Sequence, residues 1–509
     1  MSIPIDRIKF PELFFGLVAP IGADLESTLA EFKAYFAEQK YNVVEIKVTD
    51  IFNWLGAYYQ PASPLKRMPL LERYKSYIDY GNQLRKELGN HVLAGTVINR
   101  IIKRRARSNT EACDRYKRTV FLLYQFKREE EINLLRSVYD RLFFQVSVYS
   151  RRGARVDHLS RMFAESRNTA ATKNFRGDAE FICQRDEDEV DEPHGQRVAK
   201  IFHDADFIIS LDTERPSVKE QVIRFCNLIF SSNAISPTKM EYGLFLAKAA
   251  ALRTLDLSRQ VGAAIFSDRG EIIALGSNEV PKAGGGTYWA DDKFEDRDYR
   301  RGFDSNDSRK KQILAEIVSS VDSSKDIDDA LEQPRFRDSQ LMDALEYGRV
   351  VHAEMSAICD AARMGRSTKD AILYVTTFPC HMCAKHIVDC GIGNVIFLEP
   401  YPKSLASELH NDSLLIEGAD RGKYAEFPCV HFQHFFGITP RRYRELFERN
   451  KRKDDNGKFV EFSSGGPVPI IDIKVPFYIE IENAVLHEAS RIVEKAVADQ
   501  ENADRSSGA

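Results

Sequence analysis

His352-Ala353-Glu354 and Pro379-Cys380-His381-Met382-Cys383 constrain this chain more than any other feature. Each stands at the start of a segment with helical apolar spacing, Ala353 to Met364 and His381 to Cys390. The apolar run Ala371 to Thr376 lies between them and Val395 to Leu398 follows, both read as strands. Two cysteines three apart at a helix start can bind one metal ion, and the helix macrodipole favours their thiolate form. A histidine at the start of a second helix supplies a third ligand. The segment must therefore fold as helix, strand, helix, strand, with two helix N-termini meeting at one point. Three protein ligands leave the fourth tetrahedral position of zinc open, as in catalytic sites and unlike closed structural ones. Bound zinc lowers the pKa of a water molecule towards ~7. Glu354, two residues beyond the histidine, falls beside the metal and not on it, as a proton carrier.

The remaining cysteines, Cys113, Cys183, Cys226, Cys359, Cys390 and Cys429, have no partner at ligand spacing and read as small buried hydrophobes. Eight cysteines in 509 residues are too dilute for a disulfide framework. His381 and His386 on the metal helix read as packing or surface groups.

A chain of 509 residues exceeds the roughly 250–300 residues that one core can serve, so at least two domains are expected. From Leu13 to Asp50 the pattern is strand, helix, strand: a β-α-β unit. Further strands are predicted at Val92 to Ile98, Val120 to Phe126, Phe143 to Tyr149 and Phe207 to Leu211. The alternation predicts a doubly wound α/β domain over residues 1–230. A second domain over 236–498 opens with a helix from Met240 to Leu255 and strands at Val261 to Phe266 and Ile272 to Leu275. It carries an insertion over 282–348, with Gly284, Gly285, Gly286 and a helix from Ser308 to Val318. The three glycines suit a segment that folds over the site, the alternative being a plain surface insertion. Residues 499–509 read as a disordered tail.

Charge is nearly balanced, with 72 Lys and Arg against 76 Asp and Glu, a net charge of -4; this disfavours a protein whose main task is coating nucleic acid. A local cluster, Arg100, Lys103, Arg104, Arg105, Arg107, Arg115, Lys117 and Arg118, reads either as an exposed helix face or as a phosphate or RNA contact. The acidic run Asp186 to Glu192 reads as a solvated loop. The longest early apolar stretch, Leu13 to Ala23, is too short and too broken to cross a membrane. The first dozen residues lack a secretory h-region, so a cytoplasmic location is expected.

The two metal motifs together match the zinc nucleobase-deaminase signature, H-x-E with P-C-x-x-C. Residues 236 to about 450 resemble the cytidine/deoxycytidylate deaminase superfamily, through Arg259-Gln260-Val261-Gly262-Ala263-Ala264-Ile265, Asn278-Glu279-Val280-Pro281 and the motifs above. The resemblance implies an α/β/α deaminase-type domain in which His352, Cys380 and Cys383 bind Zn2+ and Glu354 shuttles protons. It also implies that Asn278 and Ala353 contact the substrate, Asn278 at the sugar hydroxyl; the alternative for Asn278 is a turn residue.

Gly16-Leu17-Val18-Ala19-Pro20-Ile21-Gly22-Ala23-Asp24, the stretch Arg185 to Gly195, the triple glycine and Glu399-Pro400-Tyr401-Pro402-Lys403-Ser404 widen the match. With them the chain resembles the bacterial anti-phage dCTP deaminases, which join a P-loop kinase-like domain to a deaminase domain. This resemblance implies dCTP or dCMP as substrate, depletion of dCTP in antiviral defence, an inhibitory small RNA as partner and a homo-oligomer. A metabolic dCMP deaminase and an RNA-regulated or polynucleotide cytidine deaminase are the alternatives. The loop is degenerate: Gly16 and Gly22 stand one residue too far apart, and Ala23-Asp24 replaces the Lys-Ser that phosphoryl transfer needs. Gly16, Gly22 and Ala23 are thus candidate nucleotide contacts in a domain that transfers no phosphate, the alternative being a structural or regulatory domain that binds no nucleotide there.

Overall fold

The computed structural model describes residues 7–107, 116–190, 192–321, 327–337, 339–449, 451–463 and 465–507; Cys113, Arg115 and Asp191 lie outside them. The chain forms two units, Met1–Ser236 with Phe436–Ala509, and Pro237–Phe435. The expected boundary at 498 differs from this partition. Leu446, Ile471, Ile473 and Tyr478 pack into the core of the first unit, so the chain leaves the second unit after Phe435.

In the first unit, strands β1 (Leu13–Val18), β2 (Asn42–Lys47), β3 (Thr119–Tyr124), β4 (Phe143–Tyr149) and β5 (Phe207–Ser210) form a parallel sheet in the order β5-β4-β1-β3-β2. The two-residue strand Gly437–Ile438 adds antiparallel to β5. Central β1 is buried along its whole length, which is why it reads as a continuous apolar run and not as an alternating one. Gly16 sits within it because a Cβ there would lie 2.5 Å from the Phe143 ring.

The strand expected at Val92 to Ile98 is instead the start of the helix Val92–Ala106. A fully buried apolar run cannot be told from a buried helix by periodicity alone. The helix turns Arg105 inward, 2.8 Å from Glu12 and 2.7 Å from Glu482. The Tyr478 hydroxyl donates to Glu12 at 2.7 Å and that of Tyr139 to Glu482 at 2.9 Å. This network fastens the helix Tyr478–Ser507 to the sheet, and that helix continues through most of the stretch expected to be disordered. Its sequence is rich in Ala and Glu, both good helix formers.

The acidic run is also not a solvated loop at its start. Asp186, fully buried at the end of the helix Arg176–Glu187, pairs with Lys127 at 2.6 Å, and Glu187 pairs with Arg155. No helix among the described residues is long and apolar enough to cross a membrane.

The second unit is built on β6 (Gly262–Phe266), β7 (Ile272–Ser277), β8 (Ile372–Thr377), β9 (Asn394–Glu399), β10 (Leu414–Ile416) and β11 (Val430–His434), in the order β10-β11-β9-β8-β6-β7. β6 runs antiparallel to β7 and β8, while β8, β9, β11 and β10 are mutually parallel. Strand alternation sends Ala263, Ile265, Leu373 and Val375 to one face, against the helices Ala353–Arg363 and His381–Asp389. Tyr374 points to the other face, against Gly243 of the helix Lys239–Ala251. Helices therefore cover both faces in an α/β/α arrangement. The insertion carries the helix Ser305–Val321, longer than expected, and a small core of Leu314, Val318 and Ala330. Gly284, Gly285 and Gly286 have φ of 92°, 101° and 75°, which explains the run of glycines.

Replacing Arg105 by Ala leaves two carboxylates buried without their cation. The expected loss is about 3–5 kcal/mol of unfolding free energy by denaturant titration, and an unchanged midpoint would contradict the network's role.

Candidate active site

The helix Ala353–Arg363 lies directly on β7, and His352 is its N-cap residue, with extended φ −63°, ψ 154°. Cys380 is likewise the N-cap of His381–Asp389, with φ −68°, ψ 166°. The turn before it is fixed by the Phe378 amide donating to Glu399 O at 2.8 Å and by the Ser404 hydroxyl donating to Pro379 O at 2.8 Å. Two N-termini thus converge. His352 Nδ1 lies 3.3 Å from Cys380 Sγ and 3.4 Å from Cys383 Sγ. Tetrahedral zinc with ordinary Zn–N and Zn–S bonds requires an N···S edge of about 3.6 Å, so the donor set fits the ion. The structure brings together all three residues expected as ligands.

Without a metal ion the three donors share protons among themselves, and these protons leave when an ion binds. A hydrogen bond from the Cys383 thiol and the neighbouring His352 hold Cys380 down to about 4, while donation to Cys380 together with burial raises Cys383. The hydrogen bond to Cys380 raises His352 to about 9. Glu354 is in the first turn of its helix and 4% exposed; burial, then the negative charge of Cys380, pushes it up to about 7. A carboxyl poised there can accept and return a proton near neutral pH.

These groups open into a cavity of ≈ 180 Å³ that also contains Ala353 and Asn278. Asn278 follows β7 and holds the loop opposite the metal ligands. Its Nδ2 donates to Asp256 Oδ2 and to Arg259 O, both at 2.6 Å, and its Oδ1 accepts from the Val261 amide at 2.7 Å. With both amide hydrogens committed, Asn278 positions Asp256. Asp256, Arg259, Phe378 and Tyr401 line the cavity and were not singled out from the sequence as site residues. Arg259 and Tyr401 did fall in the motifs Arg259–Ile265 and Glu399–Ser404, a signal without an assigned role. Leu345, from the end of the insertion, also reaches the cavity. His381 lies outside it, 3.5 Å from Glu346, as expected for a surface group.

The glycine-rich loop of the first unit is arranged differently from expectation. Gly16 lies inside β1, Gly22 has φ 89°, and the Ala23 amide donates to Pro20 O at 3.1 Å. The Ile21 amide donates to Asp186 Oδ2 at 2.7 Å. The amides of Ile21 and Ala23 are therefore committed within the protein, and a carboxylate already occupies the place an anion would take.

Residues 237–399 match the family model described as the cytidine and deoxycytidylate deaminase zinc-binding region. The deoxycytidylate deaminase of Enterobacteria phage T4 is 46% identical over 54 residues, 11% of this chain and 28% of that protein. The Homo sapiens deoxycytidylate deaminase is 27% identical over 158 residues, 31% of this chain and 63% of its own length. Among solved structures, the cyanophage S-TIM5 dCMP deaminase shares 16% identity and a TM-score of 0.22, covering 39% of this chain and all of its own. The chain spans under a third of the length of the first curated relatives it matches. The family match and the His/Cys/Cys group support Zn2+ as the cofactor, and His352, Cys380 and Cys383 are the residues that could hold it.

Cys380→Ala and Cys383→Ala are each expected to reduce bound zinc from about one ion per chain to a small fraction of that, read by metal analysis of the purified protein. Wild-type zinc content in either variant would show that the ligand set is wrong.

Proposed function

We infer that the second unit hydrolytically deaminates deoxycytidine nucleotides. The exocyclic amino group at C4 of cytosine leaves as ammonia and an oxygen from water takes its place, giving the deoxyuridine nucleotide. The observation that carries this reading is the placement of buried Glu354 beside a His/Cys/Cys set at the floor of one cavity. Glu354 takes the two protons of the water in turn, giving one to ring N3 as oxygen bonds to C4 and the other to the departing amino nitrogen as the C4–N bond breaks. Phe378 and Tyr401 give the cavity an aromatic lining suited to a planar base, and Asp256, held by Asn278, offers an acceptor to a sugar hydroxyl.

The deoxycytidylate names of the relatives support a nucleotide substrate, and the small cavity favours a free nucleotide over a base within a polynucleotide. The finer reading is that dCTP is accepted as well as dCMP, so that activity depletes dCTP in antiviral defence. It places the protein in the cytoplasm as a homo-oligomer, with a small RNA as a regulatory partner. In the same reading the first unit is a degenerate P-loop kinase-like domain that regulates and does not transfer phosphate. Its support is central β1 leading through Ala19–Asp24 into the helix Leu25–Glu38, with no lysine in the loop.

A panel of dCMP, dCTP, cytidine and a cytosine-containing DNA oligonucleotide, followed by product mass and released ammonia, tests the proposal. Conversion of dCMP or dCTP at rates at least about a hundredfold above the oligonucleotide is expected, because an oligonucleotide must first be unstacked and threaded into the cavity. Turnover of the oligonucleotide alone would overturn it.

A further inference from the structure

The helix Val92–Ala106 divides its cations sharply. Arg105 is buried among carboxylates, whereas Arg100, Lys103 and Arg104, with Arg107 at the C-cap, fall at i, i+3, i+4 and i+7 on another face. Among the described residues these four form no ion pair with a carboxylate. Like charges at such spacings repel one another along a helix, so an anion on this face would relieve a cost already present in the fold.

The four cations line a concave site of ≈ 240 Å³ together with Asn99 and Trp54. Trp54, which lines the site, is 38% exposed, and the Tyr58 ring lies beside it with centroids 5.3 Å apart and the planes tilted by 58°, so part of the indole is open to solvent. Lys103 Nζ lies 4.9 Å from the Trp54 ring centroid, and the Arg100 guanidinium donates to Asp50 O at 3.4 Å. These contacts hold both side chains over the concavity. Seven residues of helix span about 10 Å, which is the reach of a phosphate chain and not of an isolated phosphate.

We propose that this face of the first unit binds a nucleoside di- or triphosphate, its phosphates on Arg100, Lys103, Arg104 and Arg107 and its base on Trp54. Guanidinium groups are the preferred readers of phosphate oxygens, and an indole stacks any base without regard to sequence. A single bounded concavity with one aromatic pair favours a free nucleotide over single-stranded nucleic acid, which needs successive stacking platforms along a groove. The loop Ala19–Asp24 is not this site, since its Ile21 and Ala23 amides are already used. The proposal is independent of the deaminase reading.

The chain has only two tryptophans, so full-length protein carrying Trp289→Phe reports on Trp54 alone. ATP and GTP, which lack cytosine, should quench its emission saturably and lose affinity as salt rises. Arg100→Gln with Arg104→Gln should weaken binding about tenfold or more, with circular dichroism unchanged because both side chains lie outside the core. In a Trp54→Leu protein, calorimetry should show the same nucleotides bound more weakly. Unchanged affinity in the double arginine variant would overturn the proposal. So would tripolyphosphate binding as tightly as ATP, which would leave the base without a role. An oligonucleotide that binds while ATP and GTP fail to compete would assign the face to nucleic acid instead.

Discussion

The zinc site depends on how closely the helix Ala353–Arg363 can approach β7. At Gly276 a Cβ atom would lie 2.1 Å from Ala353 O and 2.5 Å from the Ala357 amide nitrogen, so no other residue lets the helix rest there. That approach sets the height of His352 and Glu354 above the sheet. Gly262 does the same on the opposite face, where a Cβ would lie 1.9 Å from Ala247 O. The sheet is thus clamped between two helices through glycines, and the N-terminus of one of those helices carries a metal ligand and the proton carrier. A shift of an ångström in the helix Ala353–Arg363 would separate His352 from the cysteines by more than a shared ion tolerates.

Burial then provides the chemistry. Glu354 is almost fully enclosed, and desolvation is what lifts its carboxyl towards neutrality. Opposite, the loop from Asp256 to Val261 is held by the side chain of Asn278, which uses both of its amide hydrogens to do so. Asn278 therefore shapes the cavity through Asp256. Burial, foremost among its influences, raises Asp256, as expected for a carboxylate turned inward.

Much of this was legible in the sequence because its signals are local. The spacing Cys380 to Cys383, the His352–Glu354 pair and the helices that follow them are each specified within a few residues, and the structure brings all of them to one point. Four of the six strands of the second unit follow from the same local alternation, whereas the strand order and the strands Leu414–Ile416 and Val430–His434 do not. What escaped the sequence reading is non-local. Val92 to Ile98 is apolar on every side because the helix is buried all round, which looks like a buried strand. Arg105 looks identical to its basic neighbours until Glu12 and Glu482, far away in the chain, enclose it. The same is true of Asp186, whose partner Lys127 and whose contact with the Ile21 amide cannot be read from an acidic run. The return of the chain to the first unit after Phe435 depends on which core accepts Leu446, Ile471 and Tyr478, and periodicity does not decide that.

The central claim is that holding the metal and moving the proton are separate tasks given to neighbouring residues. Glu354→Gln keeps the shape of the side chain and removes only its ability to carry a proton. The most direct measurement pairs zinc content with dCMP and dCTP deamination in that variant. Full zinc occupancy with turnover reduced by about a hundredfold or more is the predicted result. Turnover near that of the wild type in a zinc-replete Glu354→Gln protein would contradict the account.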